Sequence, residues 1–492
     1  MRRFSWVLGV CLLWARLAGS AWAGPPELFR TVVPGSNADA LAIYYEYGGG
    51  GFYFSRDAGK SFELLCSTAV QSDLADGQVW ALNQRPDGRV NLGLFSGMLL
   101  SDERKCSWSR VAQFEGRWVS DIARDPEDAA VSYAVTSSGE GDNAMYRNDG
   151  KSDEWTRIGE AKPDFLTRLF IVKTESGVRM YQSAAMPAQS SSQKPRYYVR
   201  VSDDRGQTWT DHDFGETDGS MRVLAVDPSD PDRIAAVVQR PLAMQKDDIL
   251  VSTKRGEPGS FQKIGQALNI VGVAFTPDGA LFYGDNDQMS PALFKLDKGA
   301  SEPRMLSNEY KVSCLRYDPA QQRLYVCRDW MFGTADPSSG KFSVLADMRK
   351  SERFVSCPEE QDTATRCETQ FRLNYCGPGH YEDAPICHFY PGAANAGAGG
   401  SSGLAGSGAG VSAAGSGAGS EAAGMSAPKA GSAGMPRAGS SGATPEKPAR
   451  SSGCSAGLAG SAPSSAWLWG MIGYACLRRS QRRRRSAQAA SR

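Results

Sequence analysis

Two stretches of the chain spell one turn. Ser202-Asp203-Asp204-Arg205-Gly206-Gln207-Thr208-Trp209 and Ser55-Arg56-Asp57-Ala58-Gly59-Lys60-Ser61-Phe62 both read S-x-D-x-G-x-[ST]-[WF], and both follow a β-prone run. Each residue type has a task at a hairpin tip. The aspartate accepts hydrogen bonds from turn amides. The glycine takes a positive φ that other residues resist. The aromatic folds its ring beneath the turn. Degenerate copies begin near Ser101, Arg147, Ser252, Lys295 and Thr334. Seven tips between Ser55 and Thr334 are spaced by roughly 46 residues, the length of a four-stranded repeat. Seven strand-like runs read as first strands, at 28–33, 78–83, 119–124, 166–173, 221–227, 270–276 and 312–318. Most lead into turns such as Pro277-Asp278-Gly279, whose residues pre-set turn dihedrals. Second strands follow at 41–47, 89–95, 131–136, 179–184, 233–238, 281–283 and 324–326.

The two complete tips resemble the Asp box, or bacterial neuraminidase repeat, of sialidase-like β-propellers. The residues that carry the resemblance are Ser55, Asp57, Gly59 and Phe62, and Ser202, Asp204, Gly206 and Trp209. The expected fold is all-β: a seven-bladed β-propeller over residues 25–348. Counts of six or eight stay open, because two tips are strongly degenerate. Sialidases of this kind have six blades, so a count of seven is more similar to the photosystem-assembly and sortilin-type members of the superfamily. The resemblance implies that the boxes lie on the blade periphery, away from the ligand face. Asp57 and Asp204 are therefore expected to be structural rather than catalytic.

The two ends read as processing signals. Residues 1–23 combine Arg2 and Arg3, an apolar run, and the small-x-small site Ala21-Trp22-Ala23, as a secretory signal does. Residues 392–453 are almost all Gly, Ala and Ser and cannot bury a core. The flexible tether they continue, up to residue 465, would span roughly 50 Å. Gly453-Cys454-Ser455 then precedes a short apolar stretch and the arginines at 478, 479 and 482–485. That apolar stretch is shorter than the ~20 residues a spanning helix needs. The order of tether, Gly-Cys-Ser, short helix and arginine cluster resembles the MYXO-CTERM sorting tail. The resemblance implies a processing protease, cleavage near Cys454, and delivery to the surface of a Gram-negative, myxobacterial-type cell. Membrane contact is expected only through residues 454–492.

Charge narrows the partners. The chain has 55 basic and 54 acidic residues. Losing the three arginines of the leader and the seven beyond Gly453 leaves 45 against 54, a net charge of −9. A nucleic-acid partner, which calls for a basic face, is not expected.

Eleven cysteines are present, and setting aside Cys11, Cys454 and Cys476 leaves eight. In an oxidising compartment these are disulfide candidates. Cys314 and Cys327 fall on paired strands and suit a hairpin staple. Cys66 and Cys106 are placed to join adjacent blades. Cys357, Cys367, Cys376 and Cys387 lie in a separate segment, 349–391, and read as two bridges with three connectivities. A zinc site using His380 and His388 is the alternative, but no CxxC pair supports it.

With only three histidines, a Ser-His-Asp triad in the propeller is not expected. Leu28-Phe29-Arg30-Thr31-Val32 is similar to the motif carrying the first sialidase arginine, without its Ile-Pro pair. Asp285-Asn286-Asp287-Gln288 reads as a solvated turn, with a calcium loop as the alternative. No cofactor or metal is expected. The ligand face should be built by second-to-third-strand loops, with Asp142, Arg196, Lys246, Asp285 and Asp287 as candidates. The expected function is a surface-displayed, non-catalytic propeller that binds a protein or a glycan. The alternative is a secreted sialidase-like glycoside hydrolase.

Overall fold

The computed structural model describes residues 29–347 apart from 35–40, 46–50, 71–78, 140, 189–192, 218, 242–244, 288–289 and 330, together with 354–357 and Cys367. Within them lie seven sheets, each of four consecutive antiparallel strands. The blades cover residues 29–66, 79–110, 119–162, 165–216, 220–267, 273–307 and 314–347. The expected seven-bladed propeller is the observed fold.

The first strands are Phe29–Pro34, Val79–Gln84, Val119–Arg124, Phe165–Thr174, Ser220–Val226, Val273–Phe275 and Cys314–Asp318. Each contacts the first strand of the next blade, and the seventh contacts the first, so they form the inner ring. The core is not one ball. It lies between blades, where facing sheets bury clusters such as Ala235, Ile249, Phe275 and Tyr283 between blades 5 and 6. Full burial of one such side chain contributes roughly 1.5–3 kcal/mol.

The Asp boxes sit between third and fourth strands and work as turn chemistry. Gly59 and Gly206 take φ of +83°, and the residues before them, Ala58 and Arg205, are left-handed at 58° and 59°. Ser55 Oγ accepts the Gly59 amide at 2.8 Å, and Asp57 accepts the Lys60 and Ser61 amides at 3.0 and 2.9 Å. In blade 4 the Gly206 amide donates to Ser202 Oγ at 2.8 Å, and Trp209 Nε1 donates to the Gly206 carbonyl at 3.0 Å. In three blades the aromatic that ends the box reaches the preceding blade. Phe62 meets Phe332 of blade 7, Trp108 meets Phe52 of blade 1, and Phe261 meets Phe214 of blade 4. Ion pairs reinforce the same rim: Arg205 bonds Asp125 and Glu127 of blade 3.

All seven sheets are made of consecutive strands, so among the described residues no strand is shared between the last blade and the first. The segment after blade 7 contributes instead. Phe354 makes a parallel bridge with Leu64, and the Val355 amide donates to the Leu64 carbonyl at 3.0 Å. Val355 and Cys367 are buried in the cluster that joins blades 7, 1 and 2. Two disulfides lock this strap: Cys66–Cys367 and Cys106–Cys357. Cys314 and Cys327 are bridged within blade 7. These pairings correct two expectations. Cys66 and Cys106 each bond to the strap rather than to each other. Cys357 and Cys367 bond to the propeller rather than within their own segment. Cys376, Cys387 and Cys454 lie outside the described residues. Several disulfides place the chain in an oxidising setting, extracellular or periplasmic.

The strap closes chain loops of 301 and 251 residues. Replacing Cys66 and Cys367 together by Ala is expected to lower stability by about 2–5 kcal/mol. The check is thermal unfolding of the oxidised double variant. A melting point equal to wild type would show that the strap is passive.

Candidate functional site

In an antiparallel four-stranded blade, the first-to-second and third-to-fourth turns share one rim. The second-to-third loops and the blade-to-blade links share the other. The Asp boxes occupy the first rim. A cleft opens on the second, at the mouth of the central channel, across blades 2 to 5. Its walls are Trp80, Trp118, Ser120, Thr167, Arg168, Ala184, Ala185, Tyr197, Ser220, Met221, Arg222 and Gln239. The cleft has a volume of about 40 Å³.

A repeated backbone device builds this mouth. In blade 2, Val79 pairs with Leu94 and Ala81 with Gly93, which leaves Trp80 as an extra residue. Ser120 is extra in blade 3 and Arg168 in blade 4. Such bulges bend a strand and re-aim one side chain. All three extra residues line the cleft. Arg168 also holds a left-handed φ of 47°, which a long side chain adopts only under constraint. Arg30 takes the same bulge position in blade 1, where the backbone alone is described.

The bore is rich in arginine. Arg168 and Arg222 stand on neighbouring first strands at the mouth. Further in, Arg316 of blade 7 senses Asp121 of blade 3, and Arg124 of blade 3 senses Arg316. Blades 3 and 7 are not neighbours, so these side chains interact across the channel. Desolvation, with the nearby Arg168 charge, pushes Arg222 down to about 9 against a weaker pull from Asp247. Its Nε is buried without a hydrogen-bond partner. Desolvation raises Asp121, although Arg168 and the Leu169 and Ile122 amides favour its charged form.

The two tryptophans form a cluster with Phe95. Trp80 meets Phe95 and Trp118 edge-on, with ring centroids 4.8 and 5.0 Å apart. Trp118 is only 4% exposed.

None of the five candidates named from the loops lines the cleft. Asp142 is exposed and pairs with Arg117 at 2.8 Å. Arg196 pairs with Asp213. Lys246 is exposed and favours the charge of Asp285. The expected solvated turn at Asp285 is corrected: Asp285 and Asn286 are buried. Asp285 accepts the Leu268 amide at 3.0 Å and the Asp287 amide at 2.9 Å. Asp247 accepts the Ile270 amide at 2.8 Å from the same blade-to-blade link. Both aspartates thus clamp the link between blades 5 and 6. Among the described residues, no group of three or more His, Cys, Asp and Glu side chains could hold a metal ion.

Reasoning from sequence missed Trp80, Trp118, Arg168 and Arg222. A signal was present. Arg168, Arg222 and Arg316 are cations flanked by apolar residues within first-strand runs. A charge on an inner strand has the channel as its outlet.

No protein-family model and no curated protein matches the chain. Among solved structures it is similar to YCF48 from Cyanidioschyzon merolae, at 13% identity and a TM-score of 0.41, covering 63% of this chain and 97% of that one. A structure titled YCF48 bound to D1 peptide aligns at 12% identity and 0.40, covering 63% and 96%. The GH74 xyloglucanase from Xanthomonas campestris aligns at 15% and 0.38, covering 66% and 48%. These likenesses are of fold.

The buried clamp has a titration signature. Desolvation lifts Asp285 to about 6, against the two amides that favour its charge. Its folded pKa lies above the unfolded value of 3.8, so its contribution to stability falls as pH rises from about 4 through 6. Asp57 is the opposite case. Burial alone would raise it, but the Ser61 and Ser55 hydroxyls and the Ser61 and Lys60 amides hold it down to about 2. Its contribution is lost as pH falls from about 4 through 2. Carboxyl carbon NMR should give a midpoint near 6 for Asp285 and near 2 for Asp57. An Asp285 midpoint near 4 would show that the clamp is solvated.

Proposed function

We propose that this is an exported, non-catalytic binding propeller that meets a protein or glycan ligand at its channel mouth. The observation that supports it most is the bulge-aimed Arg168 beside Arg222 in a small cleft. Glycoside hydrolysis needs two carboxyl groups flanking one bond. The cleft lining contains none, and the nearest carboxylates are engaged by backbone amides. Loops and links on a rigid ring are where binding groups tend to gather. Display follows from the tail: cleavage near Cys454 would leave the propeller on its tether at the cell surface.

The second reading is a sialidase-like glycoside hydrolase.

The full exported chain should bind immobilised envelope proteins or glycans without turning over a panel of glycosidase substrates. Turnover of any of these substrates by the purified chain would replace binding by hydrolysis. A separate expectation concerns display. Cys454→Ala should leave the propeller folded but keep the uncut chain in the inner membrane. Surface protein that still ends at Arg492, seen by C-terminal mass spectrometry, would refute the sorting step.

A further inference from the structure

Two bridges of this fold are nested. Cys106–Cys357 lies inside Cys66–Cys367, and the bridged positions are 251 and 301 residues apart along the chain. Cys314–Cys327, at a separation of 13, joins consecutive cysteines. The nested bridges do not. Cys106 is the next cysteine after Cys66, about 40 residues on, and Cys367 follows Cys357 by about 10. Those near pairs are the ones the folded chain refuses, since every member of them is bonded elsewhere.

Before the ring closes, chain statistics favour the near pairs. The entropy lost on closing a flexible loop grows as 3/2 of the logarithm of its length. On that scaling Cys66 meets Cys106 about twentyfold more often than it meets Cys367. Cys357 meets Cys367 on the order of a hundredfold more often than it meets Cys106. Order of appearance acts in the same direction, because the N-terminal part of a chain is made first. Oxidation that waits for the finished fold comes too late. Cys66 and Cys367 are fully buried and Cys106 is 5% exposed, all in the cluster that joins the strap to the blades. Once that cluster has packed, an oxidant has no path to these sulfurs. They are joined while the chain is still open, when near partners win.

We infer that this chain is a substrate of a thiol–disulfide isomerase, whose reactive thiolate exchanges Cys66–Cys106 and Cys357–Cys367 for the native pairs. The exchange balances without oxidant or reductant. The isomerase thiolate attacks Cys66 Sγ, forms a mixed disulfide and releases Cys106 as a thiolate. Cys106 attacks Cys357 Sγ, which closes Cys106–Cys357 and releases the Cys367 thiolate. Cys367 attacks Cys66 Sγ in the mixed disulfide, closes Cys66–Cys367 and returns the isomerase thiolate. Two disulfides enter and two leave, with no electron gained or lost. Without a catalyst such rearrangement takes minutes to hours. Packing ends the reaction, because buried structural sulfurs are inert to exchange.

The test uses the full chain, reduced and denatured, then diluted into a glutathione redox buffer with or without a purified thiol–disulfide isomerase. Samples are quenched in acid over time, and mass mapping of unreduced peptides reads the pairs. Early samples in both arms should hold Cys66–Cys106 in at least tenfold excess over Cys66–Cys367. In the same samples Cys357 should be joined to Cys367 or to the nearby Cys376 or Cys387. The isomerase should speed the appearance of Cys66–Cys367 and Cys106–Cys357 at least tenfold. An isomerase whose attacking cysteine is replaced by serine should give no acceleration. Native pairs that form first, equal rates in the two arms, or equal acceleration by the serine enzyme would each overturn the inference.

Discussion

A ring of blades is stable only if its last member meets its first. Every interior interface of this propeller is formed by blades that follow one another in the chain. The interface between blades 7 and 1 is not, and among the described residues no shared strand ties it. Beyond the buried aromatic contact of Phe62 with Phe332, three further interactions hold it. The first strands of blades 1 and 7 touch. Arg323 of blade 7 donates to the Ala58 carbonyl in the box of blade 1, at 3.0 Å. The strap then pairs with Leu64 and is bonded covalently to blades 1 and 2. In the chain-entropy view, a cross-link that closes a longer loop restrains the unfolded chain more. The two longest-range disulfides therefore act where chain connectivity helps least. The same closure fixes the diameter of the inner ring, and so the spacing of the side chains that face the bore.

What could be read from the sequence was local chemistry. The boxes at Ser55 and Ser202 were legible because a serine, an aspartate, a glycine and an aromatic satisfy one turn within eight residues. The blade count followed, since a tip every roughly 46 residues leaves room for four strands and little else. Disulfide pairing was not legible. Cys66 and Cys367 become neighbours only when the ring has closed, so separation along the chain is no guide to them. Asp285 failed for a related reason. A run of Asp and Asn looks like a solvated turn until the preceding blade-to-blade link packs over it and donates the Leu268 amide.

The channel mouth was the least legible part, because its residues are placed by register. Trp80, Ser120 and Arg168 face the cleft through one unpaired residue near the start of three successive first strands. A bulge is a property of a strand pair rather than of either strand. Alternation along 166–173 alone does not reveal that Arg168 breaks it. The positive φ at Arg168 is the visible trace of that break, and it belongs to a long charged residue rather than to a glycine.

The ring also explains how the mouth can hold an unfavourable arrangement. A left-handed non-glycine residue costs about 1–3 kcal/mol, and a desolvated arginine beside another cation adds to that. An isolated sheet would relieve both by shifting its register or swinging the side chains into water. Here the blade 4 hairpin is held at its far end by the Asp204 box and by Trp209, whose ring lies 4.8 Å from the Arg200 guanidinium. Blades 3 and 5 pack on its two faces with Met180 and Tyr181 fully buried between them. Arg168 therefore cannot relax without dismantling two blade interfaces. The turn chemistry on one rim makes the strained geometry on the other rim sustainable.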